Sequence, residues 1–153
     1  MQIYERYGPA LLRKAQRVLR SRSEAEDIVQ HLFLELLETK NMNVDLPYLY
    51  RSVTNRCLSR IRDEKNRARL LAEDGGASFE SRRADESVTM TQDLLVKLVA
   101  ELEEDEGQVL VLYFFDEMSL EEIAEMLGVH RKTVAKRVDS IRTRALSMAG
   151  GAS

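Results

Sequence analysis

Ser119-Leu-Glu-Glu-Ile-Ala-Glu-Met-Leu-Gly128-Val-His-Arg-Lys-Thr-Val-Ala-Lys-Arg137 decides how this chain is read. Ser119 and Glu122 form an S-x-x-E pair, the signature of a reciprocal N-terminal cap, so a helix begins there. Leu120, Ile123, Ala124 and Leu127 recur at helical spacing and predict its buried stripe. Gly128 supplies the left-handed conformation that ends a helix. Past the turn, Val134, Val138, Ile141 and Ala145 predict a second buried stripe. Lys132 and Lys136 project from the opposite face, flanked by Arg131, Thr133 and Arg137, with His130 in the turn. Two short helices, a glycine turn and a basic second helix make a helix-turn-helix, whose second helix enters the major groove. An ordinary helical hairpin with a solvated basic face explains each feature singly, but not cap, turn and charge together.

Outward from this motif, 153 residues with 44% apolar content suit one domain or two small ones. Two Pro, no Trp and 32% charged residues point to an all-α chain. No apolar run approaches the roughly 20 residues of a membrane span, and no signal-peptide core opens the sequence. The single Cys57 leaves no intramolecular disulfide and fits a reducing cytoplasm. A net charge of −3 is unexpected for a nucleic-acid binder, but the field at a surface depends on where the charges sit.

Tyr4 to Arg20 reads as an amphipathic helix, with Pro9 near its start, where a missing N–H costs least. Ser23 and Glu26 repeat the S-x-x-E signature and predict a helix to about Glu38. Its inward stripe is Ala25, Ile28, Val29, Leu32, Phe33 and Leu36, and Asp27, Gln30, His31, Leu34 and Glu38 lie on the other side. A polar loop follows from Lys40, and Asp45 is placed to cap a helix from Leu46 to about Asn66 with Pro47 in its first turn. Leu46, Leu49, Val53, Cys57 and Ile61 face one way there. Tyr48, Arg51, Asn55, Ser59 and Arg62 line the opposite face, and Arg56, Arg60, Lys65, Arg67 and Arg69 add charge toward the C-terminal end. A ring to stack a base, an amide for base edges and a row of arginines suit single-stranded DNA. Ala68 to Met90, with Asp74-Gly-Gly-Ala-Ser78, reads as a flexible linker. A second helical block runs from Thr91 to Met148. The plan is therefore residues 1–69 as one helical domain, 70–90 as linker, 91–148 as a second domain and 149–153 as a disordered tail.

Ala25-Glu-Asp-Ile-Val-Gln-His-Leu-Phe33, then Pro47-Tyr-Leu-Tyr-Arg-Ser-Val-Thr-Asn55, a linker and the helix-turn-helix, in this order, resemble the extracytoplasmic-function (ECF) class of bacterial sigma factors. The resemblance spans about Ile3 to Leu146. It implies that the first domain is region 2, which grips the β′ clamp helices of core RNA polymerase and opens the −10 element. The second domain is then region 4, which sits on the β flap and reads the −35 element as duplex. Carried over by position, Asp27, Gln30 and Leu34 form the polymerase-docking face. Tyr48, at a position where the family usually has tryptophan, stands at the upstream edge of the melted bubble, and Arg51, Asn55, Ser59 and Arg62 share its face. Asn55 and the Lys40–Asp45 loop lie near the captured −10 base. His130, Arg131, Lys132, Thr133, Lys136, Arg137 and Asp139 form the −35 face.

The chain departs from the family at Ala135, Asp139 and Ser140, where basic or bulky residues are common. Asp139 would repel a phosphate, or at a base edge accept from cytosine N4. The acidic run Leu102-Glu-Glu-Asp-Glu106 lacks the family's proline and reads as a solvated helix cap. Enzyme readings find no support: there is no P-loop, no H-E-x-x-H and no Cys pair, so no catalytic, metal or cofactor role is assigned. The expectation is a cytoplasmic initiation factor whose partners are core RNA polymerase, promoter DNA and an anti-sigma factor that the sequence does not name. The alternative is a stand-alone helix-turn-helix regulator with an N-terminal dimerisation or sensing domain. A third class, a sigma mimic without DNA contacts, fits poorly with the basic faces.

Overall fold

The computed structural model describes residues 2–41, 43–71 and 90–151, and all regular structure among them is helical. The chain divides into two compact units, residues 1–60 and 61–153.

The first unit opens with α1 (Gln2–Leu19) and α2 (Arg22–Thr39). Pro9 lies well inside α1 rather than in its first turn. Pro9 has no N–H to give the carbonyl of Glu5, four residues earlier, a loss the buried face of α1 must offset. That face is Leu11, Ala15, Val18 and Leu19, and it includes Lys14, which is fully buried. A buried ammonium needs compensation, and Lys14 Nζ lies 4.7 Å from the centre of the Tyr50 ring.

The cap of α2 is Ser21, two residues before the expected Ser23: Ser21 Oγ accepts from Glu24 N–H at 3.3 Å. The stretch Ser21-Arg-Ser-Glu24-Ala-Glu26 contains the signature twice, and the left-handed Arg20 (φ 58°) selects the earlier frame by ending α1 just before it. At the other end Lys40 adopts φ 56°, and Asn41 N–H reaches back to Leu36 O at 3.0 Å, closing a Schellman turn. All six residues of the expected inward stripe of α2 are buried.

Helix α3 (Leu46–Leu71) is capped as expected, with Asp45 Oδ1 accepting from Tyr48 N–H at 3.0 Å. Leu49, Val53, Cys57, Leu58 and Ile61 are buried. Leu46 was expected on the same inward face but is exposed, because it sits at the first position, before the helix reaches its neighbours. The helix runs past Asn66 into the first residues assigned to the linker; residues 72–89 of that linker lie outside the described ones.

The second unit contains α4 (Gln92–Glu101), with Thr91 Oγ1 accepting from Leu94 N–H at 3.0 Å. Then α5 (Glu104–Val109) runs into a π-helical segment, Leu110–Phe115. Its wider turn lets Asp116 N–H bond Val111 O at 3.0 Å, and it buries every residue but Tyr113. Helices α6 (Leu120–Leu127) and α7 (Arg131–Gly151) follow. Helix α7 includes residues 149–151, where the sequence predicts a disordered tail; residues 152 and 153 lie outside the described ones. Among the described residues no helix is long and apolar enough to cross a membrane, and no three metal-ligating side chains cluster.

Candidate nucleic-acid interface

Both local signals that define the helix-turn-helix are present. Ser119 Oγ accepts from Glu122 N–H at 3.0 Å, and Glu122 Oε1 accepts from Ser119 N–H at 2.8 Å. Gly128 takes φ 70°, and Val129 N–H closes the turn on Ala124 O at 3.1 Å. A Cβ at Gly128 would meet nothing within 4 Å, so the backbone conformation alone selects glycine. In α6, Ile123 and Ala124 are buried, while Leu120 and Leu127 are only half-buried. In α7, Val134, Val138, Ile141 and Ala145 are all buried, which fixes the outward face of that helix.

That face is less basic in effect than its sequence. Lys132, Lys136 and Asp139 are exposed, Thr133 is half-buried, and exposed His130 accepts the first-turn N–H groups of Thr133 and Val134 with its carbonyl. Arg131 is exposed, but its Nε donates to Glu121 Oε2 at 2.8 Å, linking the two helices of the motif. Glu121 sits below the usual carboxylate range, first because its own backbone N–H bonds the carboxylate and then through Arg131. Arg137 is half-buried with Nη2 3.8 Å from Asp105, and Arg144 lies 3.6 Å from Glu106. The acidic run therefore does more than cap α5, where Glu106 accepts from Glu103 N–H at 3.2 Å. It also neutralises the flank of α7. Lys132 and Lys136 have no ion pair among the described residues, and both stand exposed on the outward face of α7.

On α3, Tyr48, Arg51 and Ser59 are exposed, and Asn55 and Arg62 are half-buried. Two of the arginines that add charge toward the C-terminal end of α3 turn toward α2. Arg56 Nη2 donates to Glu35 Oε2 at 2.8 Å. Arg60 Nη2 donates to Asp27 Oδ2 at 2.8 Å, and its Nη1 lies 3.6 Å from Glu24. The hydrogen bond from Arg56 holds the Glu35 carboxyl below the usual range. The side chains of Lys65, Arg67 and Arg69 lie outside the described residues.

On α2, Gln30 and Leu34 are exposed, Leu34 at 54%. Asp27 is half-buried, engaged by Arg60 and 3.6 Å from His31 Nδ1. Two apolar residues missed by the sequence reading, Tyr4 and Leu37, are also exposed here. With Glu5, Gln30, Phe33 and Leu34 they line a groove of about 610 Å³ between α1 and α2. Tyr4 stands edge-on to Phe33 with ring centres 5.0 Å apart, forming one wall.

Two family descriptions match the chain in order: Sigma-70 region 2 over residues 3–67 and Sigma-70 region 4 over residues 92–143. The ECF RNA polymerase sigma factor SigW of Bacillus subtilis (strain 168) is 30% identical over 152 residues, covering 89% of this chain and 81% of that protein. This chain belongs to the ECF sigma factors. The sigma factor RpoE of Bartonella quintana, solved in complex with the anti-sigma factor NepR, shares the fold of this sigma factor at a TM-score of 0.52. The two are 19% identical, with 97% of this chain and 95% of that one covered. The α7 surface of this ECF sigma factor lies in its region 4, and the α2 and α3 surfaces lie in its region 2. Sigma factors are non-catalytic transcription initiation factors, and the stand-alone regulator reading is not favoured.

Proposed function

We propose that this ECF sigma factor acts in the cytoplasm, bringing core RNA polymerase to a set of promoters through two surfaces used together, and catalyses no reaction itself. Residues 1–69 dock on the β′ clamp helices and open the −10 element. Residues 70–90 tether them to residues 91–148, which sit on the β flap and read the −35 element. The observation that carries this reading is the outward face of α7: a capped helix-turn-helix within region 4 that leaves Lys132 and Lys136 exposed on one stripe. Two ammonium groups one turn apart fit a phosphate or a guanine edge. His130, Arg131, Thr133 and Arg137 border that contact, with Arg131 acting mainly to brace α7 against α6.

In region 2, Tyr48 offers a ring for a melted base, with Arg51, Asn55, Ser59 and Arg62 on the same face of α3. Expelling a base from the stack costs a few kcal/mol, which stacking helps to offset. Gln30 and Leu34 give the polymerase-docking face its accessible contacts, and Asp27, 47% exposed while Oδ2 holds Arg60, joins them. An anti-sigma factor is a further expected partner. Run-off transcription with core polymerase and a library of promoter sequences tests the whole reading. Promoter-selective transcripts that depend on this chain are expected. Tight, sequence-specific footprints by the free protein, with no effect on polymerase, would overturn it.

A further inference from the structure

We propose that Asp139 reads a cytosine in the −35 duplex, accepting a hydrogen bond from its N4 amine, and that Arg142 and Tyr113 hold the carboxylate for that task. The inference rests on the reading of α7 as the helix that enters the major groove. Lys132, Lys136 and Asp139 stand at i, i+4 and i+7 and are all exposed, so they form one outward stripe opposite Val134, Val138 and Ile141. Asp139 lies three residues beyond Lys136, a rise of about 4.5 Å along the axis. That is close to the spacing of successive base pairs, about 3.4 Å, so the lysine and the aspartate meet neighbouring steps of the groove.

A bare carboxylate on a DNA-facing stripe is driven off by phosphates. This one has a fixed counter-charge behind it. Arg142 Nη1 lies 3.8 Å from Asp139 Oδ1. The guanidinium is itself anchored, with Nη2 donating to the Tyr113 hydroxyl at 3.3 Å. Its carbon lies 5.7 Å from the Tyr113 ring centre and 5.9 Å from that of Phe114. Both rings belong to the π-helical segment, where Phe114 is buried. The Asp139 side chain is 77% exposed, so this buttress acts from the helix side and leaves the carboxylate accessible from the groove.

A carboxylate only accepts. Guanine presents two acceptors in the major groove and thymine one, and adenine places N7 beside its amine, where it repels a second carboxylate oxygen. Cytosine shows a donor and no acceptor on its own edge. It is the base this group selects.

The test uses holoenzyme assembled with core polymerase and templates randomised across the −35 element. Wild type should favour cytosine at one position by roughly 5- to 150-fold, the range typical of one mismatched base pair in a recognised site. Asp139→Ala should abolish that preference and no other. Asp139→Asn should move it toward adenine, whose N6 and N7 match an amide. Tyr113→Phe, which keeps the ring and removes the hydroxyl, should reduce it at the same position by a smaller factor than Asp139→Ala. Tighter binding of Asp139→Ala to every sequence would overturn the proposal and make the carboxylate a phosphate repeller; unchanged preference would overturn it equally. Lys132→Ala with Lys136→Ala distinguishes the levels of failure. If the lysine variant keeps its −35 dependence and binds as tightly as wild type while Asp139→Ala changes nothing, the reading of α7 falls, and the cytosine contact with it. If the lysine variant loses that dependence while Asp139→Ala changes nothing, the cytosine contact alone falls.

Discussion

Asp27→Asn separates two roles that meet on one carboxylate. In the free protein Asp27 Oδ2 accepts from Arg60 Nη2 at 2.8 Å, between side chains 47% and 30% exposed. Partly exposed pairs of this kind contribute about 0.2–1 kcal/mol, since water screens them and two long side chains must be ordered. Arg60 also keeps Glu24, 3.6 Å away, when the Asp27 charge is removed. The amide of asparagine retains the shape and one acceptor, so the expected loss of stability is about 0.5 kcal/mol, measured by urea unfolding followed by far-UV circular dichroism. If Asp27 also contacts core polymerase, the same change should weaken holoenzyme assembly by more than its stability cost, in competition binding against a labelled sigma factor. Leu34→Ala is the control: an exposed leucine whose removal should alter stability by less than about 0.5 kcal/mol yet weaken assembly. A double-mutant cycle with Arg60→Ala then gives the size of the pair itself. A stability loss above about 2 kcal/mol for Asp27→Asn would refute the screened-pair reasoning. Assembly unchanged in both Asp27→Asn and Leu34→Ala would refute the docking face.

Gly128→Ala forces a Cβ into the left-handed region, which costs about 1–2 kcal/mol with no clash to relieve; a thermal shift of region 4 within error of wild type would contradict this. Tyr48→Ala should remove a stacking surface on the order of 1–3 kcal/mol. It should reduce open complex more than closed complex and be rescued on pre-melted templates, and equal defects on both templates would sink the melting role. Glu35 is held below its ordinary value of 4.5 by Arg56, so its contribution is present above that value and lost as pH falls through the lowered one. Glu35→Gln should therefore flatten the fall in stability on the acid side of the ordinary value and leave the neutral range nearly flat. A slope identical to wild type in acid would show that the pair contributes nothing.

What the sequence determined on its own is what neighbours along the chain decide. The caps at Ser119 and Asp45, the turn at Gly128 and the buried stripes of α2 and α7 depend on contacts three or four residues apart, and each is present in the structure. Where two local solutions compete, as at Ser21 and Ser23, spacing cannot choose. The choice fell to the point where α1 ends at Arg20. Charge placement was legible only as a face, never as a partnership. A guanidinium reaches several ångströms in any direction, so its partner depends on which helix is packed beside it. Only the tertiary structure could therefore assign Arg60 to Asp27, Arg56 to Glu35, Arg131 to Glu121 and Arg142 to Tyr113. The same holds for Lys14, which pattern alone would send to solvent. It is buried because its position on the apolar stripe of α1 carries the ammonium onto the ring of Tyr50.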